Sequence, residues 1–324
     1  MQKNYTIALD IDGTLIDKNG KLDPQVLGIF KNADLSKTKF ILTTGGTIKS
    51  AKYALSEINK ALNLKGNKKI KAYMCTNCGA EIINPNGKLI YETTLSTEQT
   101  YSLVNSVRSI DNGSVIVYVA NDVYFIEDQS DLKTSNQARY IKNDILIWLY
   151  KKKEGKAKKG DAGLDFEQTK KLNLLNDVMS FVNEKGNISS IMVVPTGSSK
   201  DLKQEITAFL KESAGNLSVY SGFAIAVPAS TKKRAIEYVL SYELKNPDYV
   251  NNIQQVIYLG DGTNDIEMLQ TANISVARGE KAKEEAKAVA KFKLNSLEQF
   301  SKQLYNGKFD SQIYLEESKV ECSK

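Results

Sequence analysis

One pattern recurs near both ends of this chain: a short apolar run closes on an aspartate, and glycine follows almost at once. Near the start, Tyr5 to Ile11 is mostly apolar, alternates little and leads into DIDGTL. Much later, Val256 to Leu259 runs into LGDGTNDIEML, whose Ile266, Met268 and Leu269 continue as a helix. Apolar runs without alternation read as strands buried on both faces, the condition of a parallel sheet with helices on each side. Between the two copies, Lys39 to Thr44 gives a second strand closed by Gly45 and Gly46. Ile48, Ala51, Leu55, Ile58 and Leu62 then follow at helical spacing, and Lys71 to Thr76 gives a third strand. The expectation is an α/β fold whose ligands gather beyond the carboxyl ends of the strands.

The middle of the chain reads differently. Ser114 to Ala120 and Val123 to Glu127, joined by Asn121-Asp122, resemble a hairpin. At 324 residues the chain is about twice the usual domain length, so a second domain inserted into the first is expected. The boundaries predicted are a discontinuous core over 1–94 and 228–324, and an insert over 95–227. Within the insert, KKKEGKAKKGD from Lys151 to Asp161 has no apolar content and reads as a solvated loop.

Composition removes several chemistries. There is no histidine, so histidine nucleophiles, Ser-His-Asp triads and histidine-ligated zinc are excluded. Three cysteines, Cys75, Cys78 and Cys322, are too few to staple the chain and suit a reducing compartment. Cys75 and Cys78 form CTNC without the partners of a zinc site, and read as core packing at a strand end. No apolar run approaches the roughly 20 residues of a membrane helix; Ile145 to Tyr150 is the richest, and Ile7 to Leu9 is too short for a secretory signal. The reading is a cytoplasmic protein with no membrane partner. A net charge of +6 can steer small anions but is low for a nucleic-acid binder.

The carboxylates carry the chemistry. Asp10 and Asp12 stand two apart at a strand end, with Gly13 and Thr14 able to turn the chain there. Two carboxylates so placed repel unless a cation or a proton separates them. Asp261 lies at another strand end, with Asp265 one helical turn beyond. Together these make an oxygen-ligand site of the kind magnesium prefers.

DIDGT, the strand ending in Thr44, Lys232 and GDGTND together resemble the four motifs of the haloacid dehalogenase superfamily. NCGAEI at Asn77, STKKRAIEYVL around Lys232 and GDGTNDIEML are similar to its Cof-type sugar-phosphatase branch, with a type IIB cap. The resemblance implies a Rossmann-like core carrying an inserted α/β cap. It implies a phosphatase in which Asp10 is the nucleophile, forming an aspartyl-phosphate, and Asp12 the acid and base. Thr44, Gly45, Gly13 and Asn264 would bind the phosphoryl group, which Lys232 would neutralise. Asp10, the backbone carbonyl of Asp12, and Asp261 would hold Mg2+, with Asp265 behind them. The substrate implied is a small phosphorylated metabolite.

Asp12 argues against dehalogenation, because it supplies the proton that transfer from an alcohol oxygen requires. A phosphomutase and a non-catalytic phosphometabolite-binding regulator remain as alternatives. Two departures from the branch pattern, Gly46 in place of arginine and the charged stretch Arg278 to Lys287, border the expected site.

Overall fold

The computed structural model describes residues 5–17, 20–110, 115–120, 123–127, 173–175, 188–194, 204–205, 208, 217–220, 224–228, 230–244, 256–278, 282–294 and 297–305. The chain divides into two compact units, Met1–Ile90 with Thr231–Lys324, and Tyr91–Ser230. In chain order the strands are β1 (Tyr5–Asp10), β2 (Thr38–Thr43), β3 (Ala72–Thr76), β4 (Glu81–Ile83), β5 (Leu89–Glu92), β6 (Val115–Ala120), β7 (Val123–Glu127), β8 (Asn173–Leu175), β9 (Ser190–Val194), β10 (Leu217–Tyr220), β11 (Ala224–Pro228), β12 (Val256–Gly260), β13 (Ile274–Arg278) and β14 (Phe292–Leu294). The helices are α1 (Leu27–Lys31), α2 (Ile48–Ala61), α3 (Thr97–Ile110), α4 (Lys232–Leu244), α5 (Ile266–Thr271), α6 (Glu284–Val289) and α7 (Glu298–Tyr305).

The first unit is built on an eight-stranded sheet in the order β14-β13-β12-β1-β2-β3-β4-β5. It is parallel from β14 through β3, and β4 runs antiparallel to β3. β1 is central, in register with β12 through Leu9↔Leu259 and with β2 through Asp10↔Thr43. Side chains alternate across the strands. On one face Ile7, Leu9, Phe40, Leu42, Ile257 and Leu259 join Ile29, Ala54, Ile58 and Phe300 of α1, α2 and α7 in a single core. On the other, α4 packs against β3 and β4, and α5 against β12 and β13. Both faces are covered, which is why the central strands are mostly apolar.

The second unit holds a six-stranded sheet in the order β10-β11-β9-β6-β7-β8. Its pairs are antiparallel apart from β7 with β8, and the hairpin read from the sequence is β6 with β7, closing at Ala120↔Val123. The segment Lys151 to Asp161, the stretch Ile145 to Tyr150 and the Asn121-Asp122 link lie outside the described residues.

The charged stretch at Arg278 does not begin as a loop. Arg278 is the last residue of β13 and only 4% exposed, with its guanidinium paired to Asp23 and 3.3 Å from Gln25 Oε1. Burial pulls the guanidinium below its ordinary value, while Asp23 and Asp261 act the other way. A buried cation needs such a partner, and Asp23 supplies it from the segment that returns after Asp12.

Candidate active site

Two parallel strands deliver the carboxylates. Asp10 ends β1, where the chain leaves the sheet and turns: Ile16 returns its amide to the Ile11 carbonyl, and Gly13 donates to the Ile16 carbonyl at 2.8 Å. Gly13 sits at φ +95°, a conformation that side chains rarely adopt. A Cβ there would come within 2.2 Å of Asp261 Oδ2, so the absence of a side chain lets the two loops touch. The β12 strand ends at Gly260, next to which Asp261 receives a hydrogen bond from the Thr14 hydroxyl at 2.9 Å.

Lys232 opens α4, whose first turn is capped by the Thr231 hydroxyl accepting from the Arg234 amide at 3.1 Å. Its Nζ donates to Asp10 Oδ1 and, at 2.6 Å, to Asp265 Oδ1. Lys232 is 1% exposed, and its buried ammonium bridges the two carboxylates. Asp265 is heavily supported. Its Oδ1 also accepts from the Tyr258 hydroxyl at 2.5 Å, and its Oδ2 accepts from the amides of Asp261 at 3.0 Å and Gly262 at 2.8 Å.

The charge balance explains the electrostatics. Burial, followed by the neighbouring aspartates, pushes the Asp10 carboxyl well above its ordinary value, and Lys232 offsets this only in part. Burial and Asp265 likewise raise Asp261. Burial opposes the charge on Lys232, but Asp10 and Asp265 outweigh it and hold the ammonium well above its usual value. Burial and the Asp265 charge push the Tyr258 phenol far up as well. Among the described residues, the ion pairs of Asp10 and Asp265 converge on the one Lys232 ammonium, and the Arg278 guanidinium that acts on Asp261 is itself paired to Asp23, so the carboxylates outnumber the cations beside them. Carboxylate oxygens of Asp10, Asp261 and Asp265 lie within 4.8 Å of one another, an all-oxygen set suited to a hard divalent cation. Of these, Asp265 already has two donors on each oxygen, so its place is to hold Lys232 and the Asp261 loop more than to ligate.

The residues expected at the phosphoryl group are also near. Thr44 lies just past β2, fully buried, and its hydroxyl donates to Asp12 Oδ2 at 2.7 Å while accepting from the Gly46 amide at 2.8 Å. In this arrangement the Thr44 proton serves Asp12. Gly46 thus has a backbone task in this loop. A Cβ on Gly45 would stand 3.3 Å from Cys78 Sγ and 3.8 Å from Asn264 Nδ2, which places Asn264 beside the Thr44 loop. That loop leans on the next one: the Asn77 amide donates to the Gly46 carbonyl and the Cys78 amide to the Thr44 carbonyl. Asn77, Cys78 and Gly79 all have positive φ, a tight left-handed turn. Cys75 and Cys78 are buried, and burial pushes the Cys75 thiol up to about 12, the behaviour of packed rather than reactive sulfur.

Sequence reasoning missed Tyr258, Thr14 as a partner of Asp261, and the Arg278-Asp23 pair. A tyrosine inside an otherwise apolar strand was the available signal for the first, since a buried hydroxyl demands a partner.

A family model described as haloacid dehalogenase-like hydrolase matches residues 7–300. An uncharacterized hydrolase of Schizosaccharomyces pombe is 23% identical over 274 residues, 84% of this chain and 79% of that one. A solved haloacid dehalogenase-like hydrolase from B. subtilis superposes with a TM-score of 0.64 at 17% identity, covering 92% of this chain and 98% of the other. A phosphatase from Bacteroides thetaiotaomicron gives 0.65 at 18%, covering 95% and 96%. A subclass IIB sugar phosphatase gives 0.62 at 17%, covering 94% and 100%.

Proposed function

This chain belongs to the haloacid dehalogenase-like hydrolases, and from that premise we propose that it is a cytoplasmic, magnesium-dependent phosphatase of small phosphorylated metabolites, with sugar phosphates foremost. The observation that carries the reading is the buried lysine shared by Asp10 and Asp265, with Asp261 alongside.

In the proposed reaction an oxygen of Asp10 attacks phosphorus, and the bond from phosphorus to the ester oxygen breaks. Asp12 gives its proton to that departing oxygen, leaving a neutral alcohol and an aspartyl-phosphate. Water then attacks the phosphorus and gives a proton to Asp12, the bond from phosphorus to the Asp10 oxygen breaks, and inorganic phosphate leaves with both aspartates restored. Lys232 fixes the rotation of the Asp10 carboxylate through Oδ1 and faces the charge that builds on the transferred group. Thr44 orients Asp12 through the 2.7 Å hydrogen bond, the contact that aims its proton. Asp10, the Asp12 carbonyl and Asp261 would hold magnesium, with Asp265 behind them. When bound, that ion supplies the missing positive charge and screens the carboxylates from each other.

The unit Tyr91–Ser230 is proposed as the substrate-selecting cap. Support for a sugar phosphate comes from the motifs shared with the Cof-type branch and from the fold shared with a sugar phosphatase. Among the described residues, no helix is long and apolar enough to cross a membrane.

The test is release of inorganic phosphate from a panel of sugar phosphates and an aryl phosphate, with magnesium or EDTA. Turnover that EDTA abolishes and magnesium restores is expected. Turnover equal in both conditions would sink the metal assignment, and turnover requiring a sugar bisphosphate activator would move the reading to a phosphomutase.

Gly13→Ala is a sharper local test. The left-handed φ costs an alanine roughly 1–2 kcal/mol, and its methyl must displace Asp261. The expected result is a fall in turnover of about 100-fold, the scale of a misplacement by about 1 Å at a reacting centre. A Gly13→Ala enzyme with ordinary turnover would show that the Asp261 contact is dispensable.

A further inference from the structure

We propose that Tyr258 is a positioning residue for phosphoryl transfer, its hydroxyl sharing Asp265 Oδ1 with Lys232 so that the lysine stays available to Asp10 and the transferred group. The inference rests on the phosphatase reading above.

The placement follows from strand register. Tyr258 pairs with Ala8, two residues before Asp10 and on the same face of β1. The next position on that face of β12 is Gly260, which has no side chain; a Cβ there would stand 2.6 Å from the Asp265 carboxyl carbon. The gap at Gly260 leaves the hydroxyl of Tyr258 a clear path up to Asp265, which it reaches at 2.5 Å. The ring is completely buried. Its hydroxyl also lies 3.4 Å from Thr43 Oγ1, itself 3.3 Å from the Leu9 carbonyl. A continuous buried chain therefore runs from the Leu9 carbonyl through Thr43, Tyr258, Asp265 and Lys232 to Asp10.

The chemistry lies in the competition for Lys232. Its single ammonium serves two carboxylates, Asp10 and Asp265. Every other donor to Asp265 drains charge from that carboxylate and weakens its hold on the ammonium. The Asp261 and Gly262 amides do this at Oδ2, but at Oδ1 Tyr258 is the one donor besides Lys232 among the described hydrogen bonds. Without the hydroxyl, Oδ1 keeps the lysine as its remaining partner and draws Nζ away from Asp10. Hydrogen bonds to charged groups are strong enough for this to matter, on the order of 10-fold or more in rate.

The bland alternative is a core tyrosine whose hydroxyl has found a partner and contributes to stability alone. Tyr258→Phe separates the two, because it keeps the ring and removes only the oxygen. With the aryl phosphate, kcat is expected to fall about 10-fold, while KM and the magnesium concentration giving half-maximal rate stay within about twofold. A kcat within twofold of wild type overturns the proposal, whether or not Tm falls, and so does a loss confined to KM. Asp10→Asn, measured in parallel, isolates the premise. If that variant still turns over, the phosphatase reading itself fails; if it is dead while Tyr258→Phe is unimpaired, only the role of Tyr258 is lost.

Discussion

Asp10→Asn should reduce phosphate release by at least about 10^4-fold, the scale on which loss of a catalytic nucleophile acts, without lowering the stability of the metal-free protein. The two halves of that expectation come from the same burial. The Asp10 carboxyl lies well above its ordinary value because it is desolvated and surrounded by Asp265, Asp261 and Asp12. In the unfolded chain it titrates near its usual value of about 4. Between those two values the folded state keeps a proton that the unfolded state has released, so this group costs stability increasingly as pH rises through the window. Asparagine has no such proton. In EDTA, the Tm of wild type should therefore fall relative to Asp10→Asn as pH is raised from about 4, and magnesium should close the gap. Parallel Tm profiles for the two proteins would show that the Asp10 charge is compensated by something other than a cation.

Lys232→Met is expected to have the second largest effect, and on folding as well as rate. Methionine preserves the stem but deletes an ammonium bonded to two buried carboxylates. Removing one partner from a buried pair costs about 3–5 kcal/mol, and turnover should fall about 10^3-fold with the charge facing the transferred group gone. Lys232→Arg should recover much of the stability and little of the rate, since a planar fork cannot occupy the point between Asp10 Oδ1 and Asp265 Oδ1. The lysine is held above its ordinary value, so its stabilising contribution is complete below about pH 10 and is lost only as pH rises through the folded-state value. The defect should accordingly look the same from pH 6 to 9. Full turnover in the arginine variant would mean that charge alone, without placement, is enough.

Asp10 and Asp261 were legible because each stands where an apolar run ends, a position that is costly for a charge unless chemistry needs it there. Glycines marked the same points, and Gly13 proves to be the contact with Asp261. Lys232 could be found only through its order among the motifs; a lysine at a helix start is otherwise a surface residue, and its partners lie on distant segments. Tyr258 was hidden for the opposite reason. In an apolar strand an aromatic ring looks like packing, and its hydroxyl is given meaning by a glycine two residues on and an aspartate seven residues on. Arg278 was hidden by the charged run that it begins, because nothing local reveals that the first residue of such a run closes a buried strand against Asp23. Thr44 was singled out for a place at the phosphoryl group, whereas its hydrogen bond to Asp12 depends on how two loops lean together, and that is set by tertiary packing.

Asp10 and Lys232 are 222 residues apart, and β12, the strand beside β1, comes later still. On a ribosome adding roughly 5–20 residues per second, about 10–45 s separate Asp10 from Lys232. Throughout that interval one edge of β1 lacks its β12 partner and waits as an open hydrogen-bonding ladder. Overexpression should therefore trap the nascent chain in aggregates more readily when translation is slowed between the two motifs, and chaperone supply should govern the yield of active protein more than the stability of the finished fold does.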